Sequence, residues 1–184
     1  MRVNDGNDSN VNREHVILDT ERYQMKFYNT AIPKNLGGFV DPVVLTINPA
    51  KMTDSDFHKV DKPPKNLMFV RFRANTWNTV LQREAVFYYA EREIPIVLTF
   101  MAYFDKDVPK DHQKNYVYSK RTLNSYWVIK TDMWRTLIKY WEISPHEKWV
   151  YSCSKIEGEK GERSCRHCGN CLREYFATIE RIMQ

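Results

Sequence analysis

Glycine is scarce in this 184-residue chain, which holds only six. Gly6, Gly37, Gly38, Gly158, Gly161 and Gly169 form neither GxGxxG nor GxxxxGKS/T, so the standard phosphate-cradling loops are absent. That absence argues against an ordinary dinucleotide-binding or P-loop enzyme. Long apolar runs are missing too: no uncharged stretch approaches the ~18–20 residues of a membrane span. The first ten residues, MRVNDGNDSN, lack the apolar segment of a secretory signal. A soluble, cytoplasmic protein with no membrane partner is expected. Neither sign of charge dominates, since 28 Lys+Arg are interspersed with 23 Asp+Glu for a net +5. That balance describes a mixed surface, not a dedicated nucleic-acid face. His15, His58, His112 and His146 are dispersed, with no HExxH and none beside a nucleophile, so a Ser-His-Asp hydrolase has no support. No cysteine precedes Cys153.

What is present suffices for one folded domain. Hydrophobic residues make up 42% of the chain, including 9 Phe, 11 Tyr and 5 Trp, which excludes a disordered polypeptide. Short apolar runs read as strands: Val16–Leu18, Val43–Ile47, Leu67–Arg73, Ile94–Tyr103, Tyr126–Ile129 and Trp149–Tyr151. Runs as continuous as VVLTI and IVLTFM suit strands buried on both faces of a parallel sheet. Helices fit between them. Thr79-x-x-Gln82 is a capping-box pattern that places Trp77, Leu81, Ala85 and Tyr88 on one face. Asp132 can cap a second helix carrying Trp134, Leu137, Ile138 and Trp141, stopped by Ser144-Pro145. Leu172, Tyr175, Phe176, Ile179 and Ile182 define a third. The alternation predicts an α/β fold with a mainly parallel sheet. It divides into a mobile polar tail (1–12), an α/β domain (13–152) and a cysteine-rich segment with a terminal helix (153–184).

In parallel α/β folds the connections after the strands' carboxyl ends build the ligand site. Asn48, Arg73, Asn75, Asp105 and Lys130 sit at or just past such ends, where they would line one pocket; capping and turn duty is the plainer reading of each. Arg71 and Arg73 share a strand face. Pointing inward they would suit a carboxylate or phosphate; outward on an edge strand they would only discourage aggregation. Asp105, Asp107, Asp111 and His112 form either a second metal cluster or a solvated loop. Trp134, Trp141 and Trp149 read as core.

All four cysteines, Cys153, Cys165, Cys168 and Cys171, fall in the last 32 residues with spacing C-x11-C-x2-C-x2-C. A disulfide framework would spread its bridges across the fold, whereas four crowded thiolates match a tetrahedral zinc or an iron–sulfur cluster. The consecutive C-x2-C-x2-C favours a 4Fe–4S cluster over zinc, although the ferredoxin C-x3-C-P ending is missing. His167 lies inside the triplet and could replace a cysteine. Gly169 permits a tight backbone turn, and the helix begun near Asn170 points its amides at the loop. Cys153 would tie the loop to the sheet, with Ser154–Ser164 as a solvated excursion.

Three runs, NLMFVRFRANTWN, IPIVLTFMAYFD and CRHCGNCLREYF, together with the βα order, make roughly residues 40–180 resemble the radical S-adenosylmethionine group. The resemblance is nearest to phage-encoded relatives with a carboxy-terminal cysteine-rich end. It implies an incomplete (β/α) barrel, a cluster that binds S-adenosylmethionine, and in some members an auxiliary cluster. The chain departs from that group in lacking the C-x3-C-x2-C loop after the first strand. Four cysteines can ligate one cubane fully, which leaves no iron open for S-adenosylmethionine unless the triplet acts without Cys153. The expectation is therefore a metal-cluster-binding α/β protein, either a small enzyme or a degenerate descendant of one, with no catalytic residue assigned. Its ligand would be a small molecule or derived from nucleic acid. The alternative is a non-catalytic, zinc-stapled binding module contacting nucleic acid or a protein partner.

Overall fold

A computed structural model describes residues 1–3, 8–48, 58–100, 103–104, 107–123, 125–142, 147–153, 155–157, 162–164 and 168–184. Six strands form one sheet: β1 (Arg2–Val3), β2 (Phe27–Thr30), β3 (Val43–Ile47), β4 (Leu67–Ala74), β5 (Ile96–Phe100) and, after three strands of a small second sheet described below, β9 (Val150–Ser152). They lie side by side in chain order and every pair is parallel. The chain is thus α/β with a mainly parallel sheet. Helices α1 (Arg13–Thr20), α2 (Thr79–Ala90), α3 (Thr131–Glu142) and α4 (Asn170–Met183) accompany it. The central strands are buried on both faces, which is why VVLTI and LMFVRF carry no polar alternation over most of their length.

The two faces have different covers. Val43, Leu45 and Ile47 of β3, Val70 and Phe72 of β4, and Ile96 and Leu98 of β5 face the larger cluster. Leu81, Ala85, Val86 and Tyr89 of α2 pack there with Trp134 and Trp141 of α3. Crossovers between parallel neighbours keep one hand, so strands laid down in sequence put their connecting helices on one side. The opposite face is left to α4. Tyr175, with Cys171 and Ile179, packs there on Val44, Phe69 and Val97, beside Phe27, Tyr151 and Cys153. The Asn170 amide donates to the Ser152 carbonyl at 2.8 Å, and Arg181 donates to the carbonyls of Lys65 (2.9 Å) and Leu67 (2.7 Å). Helix α4 therefore runs diagonally, from the carboxyl end of β9 to the amino end of β4.

Several elements differ from expectation. Arg2–Val3, placed in a mobile tail, adds an edge strand to the sheet, with Val3 buried. Val16–Leu18 forms part of α1; a three-residue apolar run has no period of its own, and Val16 and Ile17 reach the core as helical neighbours. Tyr126–Ile129 (β8) joins no parallel pair. It is the middle of a small antiparallel sheet between β6 (Tyr103–Phe104) and β7 (Tyr116–Ser119). Thr79 is not the cap of α2: Asn78 is, and the Asn75 side chain accepts from the backbone amides of Trp77 (3.0 Å) and Asn78 (2.7 Å). The excursion after Cys153 carries a hairpin of β10 (Lys155–Glu157) and β11 (Glu162–Ser164). Trp134 and Trp141 are core as expected, while Trp149 is only half-buried. Ser144-Pro145 lies outside the described residues.

Candidate functional site

The sheet face under α4 changes character along the strands. Toward the amino ends it is apolar, with Phe27, Val44, Phe69 and Val97 beneath the helix. Polar side chains interleave with it and take over toward the carboxyl ends: Asn29 is level with Val44 and Phe69, Thr46 and Arg71 with Val97, and Arg73 with Thr99. Strand alternation enforces this: Phe69, Arg71 and Arg73 share a face because their neighbours Val70, Phe72 and Ala74 are spent on the larger core. β4 is an interior strand, flanked by β3 and β5, so the edge-strand reading of the arginines is overturned. Arg71 lies over the Phe69 ring at 5.8 Å and donates from Nη1 to Asn29 Oδ1 at 3.0 Å. To reach β2 it must cross β3, where its register partner is Thr46, a side chain short enough to let it pass. Thr99, in register with Arg73, donates to the Phe72 carbonyl at 3.3 Å.

Cys153, Cys168 and Cys171 lie at one corner of this face. The Cys153 amide donates to the Leu98 carbonyl at 2.7 Å, prolonging the β5–β9 ladder by one residue. The Cys168 thiol sits 3.8 Å from the Ser152 carbonyl, to which Asn170 also donates. Cys171, in the first turn of α4, packs into the same apolar cluster as Cys153. Gly169 precedes the helix with φ 72°, a left-handed turn that bends Cys168 back toward β9. All three are half-buried and none is in a disulfide. Cys165 and His167 lie outside the described residues, and among the described residues no three His, Cys, Asp or Glu side chains close into a metal-binding group. Beside this corner, burial raises the Tyr151 phenol above its ordinary pKa, with Arg173 stacked on its ring at 4.1 Å pulling the other way and Glu174 adding to the rise.

The five residues expected to share a pocket divide. Arg73 is on the polar face, and Asn48 follows β3 directly after Ile47, with its Oδ1 buried and without a hydrogen-bond partner among the described residues. Asn75 is buried and accepts from the Trp77 and Asn78 amides in the turn that leads into α2. Lys130 is exposed, and its carbonyl opens α3 by accepting from Trp134 N at 3.0 Å. Asp105 lies outside the described residues. Asp111 is exposed, while His112 Nδ1 is held 2.9 Å from Thr76 Oγ1, and Tyr116 reaches the same threonine from the core side. Burial raises the Tyr116 pKa, against two Thr76 hydrogen bonds that lower it. Two open grooves, about 680 Å³ beside α1 and about 260 Å³ between α2 and α3, are lined neither by the described cysteines nor by Arg71 and Arg73. Asn29, Thr46 and Thr99 escape a reading of the chain alone, because nothing in a single strand says which residues its neighbours set beside it. Among the described residues no helix is long and apolar enough to cross a membrane. No family model matches the chain, and neither a curated protein nor a solved structure shows significant similarity to it.

Proposed function

We propose that this chain is a metal-cluster-binding α/β protein built as an incomplete (β/α) barrel, with its ligand face on the carboxyl-end half of the sheet beyond α4. The strand order supports the architecture: six parallel strands lie side by side in chain order, with the crossover helices on one face and α4 on the other. The observation that supports the metal assignment is that Cys153, Cys168 and Cys171 lie at one corner, where β9 ends and α4 begins, although among the described residues they do not close into a ligand set. Three half-buried thiols beside a helix amino terminus are a donor set for a soft or borderline metal, since amide dipoles favour the thiolate form. Cys165, three residues before Cys168, is the fourth ligand. A 4Fe–4S cluster held there would supply a one-electron redox centre, and zinc would supply only a clamp. The chain's own residues do the rest: Cys153 anchors the ligand set to the sheet, Gly169 turns Cys168 into it, and Asn170 fastens the turn.

Anaerobic purification tests the assignment. A brown protein with sulfur-to-iron absorbance supports the cluster; a colourless one with one equivalent of zinc sinks it and favours a zinc-stapled binding module. Cys153→Ser should lower metal content and thermal stability together. If neither changes, the four-cysteine ligand set is wrong.

A further inference from the structure

The groove of about 260 Å³ between α2 and α3 lies on the side of the sheet opposite α4 and the cysteine corner. The two helices run in the same direction along it. Arg83 stands over the Tyr140 ring at 5.7 Å, and one turn further along α2 Phe87 meets Trp141 edge to face at 6.4 Å. Gln82, which borders the groove, is only 3% exposed and belongs to the α2 row that packs on the larger core. Its Oε1 is buried and has no hydrogen-bond partner among the described residues. An unpaired buried oxygen costs free energy that leucine or methionine at the same place would avoid. Of the two grooves, this one alone is bordered by such a residue. Arg83 is the single charged residue of the lining, and it is exposed at the rim. Resting on a ring face, a guanidinium keeps its donor edge for another partner. Between the two stand Leu137 and the rings of Tyr140 and Trp141, set edge to face at 4.9 Å.

We propose that this groove binds a small aromatic carboxylic acid that carries a ring N–H or O–H. The ring donor satisfies Gln82 Oε1 at the inner end, the ring lies against Leu137, Tyr140 and Trp141, and the carboxylate meets the Arg83 fork at the rim. Each part of the ligand follows from one part of the groove. A buried acceptor calls for a donor, apolar and aromatic walls call for a ring, and a lone cation with no acidic residue in the lining calls for an anion. The volume falls at the lower edge of the ~300–1,000 Å³ typical of small-molecule pockets, which suits one or two rings. The site is separate from the cysteine corner and stands or falls without the metal.

The full-length protein is titrated by calorimetry with three probes. Indole-3-acetate has the donor and the charge, 1-naphthaleneacetate keeps the shape and charge without the donor, and indole-3-acetamide keeps the donor without the charge. Saturable binding of indole-3-acetate, one per chain, is expected. The naphthalene should bind about tenfold or more weakly, because it covers Gln82 Oε1 and leaves it unpaired. The amide should bind about threefold or more weakly, a smaller loss because Arg83 is exposed. Arg83→Gln, on the exposed side of α2, should erase the advantage of the acetate over the amide. Gln82→Met should erase the preference for indole over naphthalene; where that core variant fails to fold, Arg83→Gln and the three probes decide. Absence of saturable indole-3-acetate binding, equal affinity for the naphthalene, or wild-type binding in Arg83→Gln overturns the site.

Discussion

Gly169 offers the sharpest test of how the cysteine corner is built. It holds φ 72° just before α4, and its carbonyl accepts the amides of Leu172 and Arg173 at 3.1 Å each. A Cβ built there would meet nothing within 4 Å. The penalty for another residue is therefore torsional and not steric. An L side chain in the left-handed region costs roughly 1–2 kcal/mol, from which the lower chain entropy of a non-glycine unfolded state takes back about 0.4–1. Gly169→Ala should then destabilise by about 1 kcal/mol and lower Tm by about 2–4 °C for a chain of this length. Gly169→Asn should lose less, because asparagine visits that region more readily. Gly169→Gln should lose about as much as alanine, because the space is open. Thermal unfolding of the four proteins, followed by metal content, checks the series. A glutamine variant much worse than alanine would mean that the site is crowded. An alanine variant as stable as wild type would mean that the turn is not left-handed, and either result refutes the geometry.

Three further outcomes follow from contacts described above. Asn75→Ala removes the acceptor of two backbone amides at the start of α2 and should cost about 1–2 kcal/mol in chemical denaturation, with Asn75→Ser recovering part of it; an unchanged midpoint would return Asn75 to the ligand pocket. Arg181→Ala deletes both bonds from α4 to the Lys65 and Leu67 carbonyls, so it should cost about 1.5–3 kcal/mol and speed amide exchange over 170–183; exchange unaltered there would show that α4 is held by packing alone. Tyr89, Tyr116 and Tyr151 all have pKa values raised above the ordinary 10.0, chiefly by burial. Their unfolded forms ionise first, so this contribution is complete below about pH 10 and is lost as pH climbs toward the folded values. Urea midpoints should hold level from about pH 8 to 9.5 and fall beyond it, and a level curve past pH 10 would mean these phenols are not buried.

The backbone of the sheet was legible in advance where strands are buried on both sides. VVLTI and LMFVRFRA have few polar interruptions because both of their faces meet apolar partners, and their bounds agree with the folded ones to within a residue. Phe27–Thr30 and Tyr116–Ser119 were not legible. FYNT and YVYS mix polar and apolar residues, and their pairing partners, not their composition, make them strands. The helical faces of α2 and α4 were read only in part. Tyr88 lies beside the buried row formed by Gln82, Ala85, Val86 and Tyr89, and Leu172 and Phe176 remain exposed while Tyr175 turns inward. An apolar period gives a helix its stripe but not the angle at which the sheet will meet it.

The candidate site divides along the same line. Four cysteines in one short segment announce a soft donor set from spacing alone, because ligand number and softness are properties of the residues themselves. That Cys153, Cys168 and Cys171 lie at one corner depends on β9 pairing with β5 and on α4 starting at its end, contacts between segments remote from one another in order of synthesis. The two arginines show the contrast most plainly. A period of two puts them on one face, but inward or outward depends on whether β4 is an edge or an interior strand. Hydrogen bonding to β3 on one side and β5 on the other decides that, and it makes them residues of an interior strand instead of guards on an exposed edge.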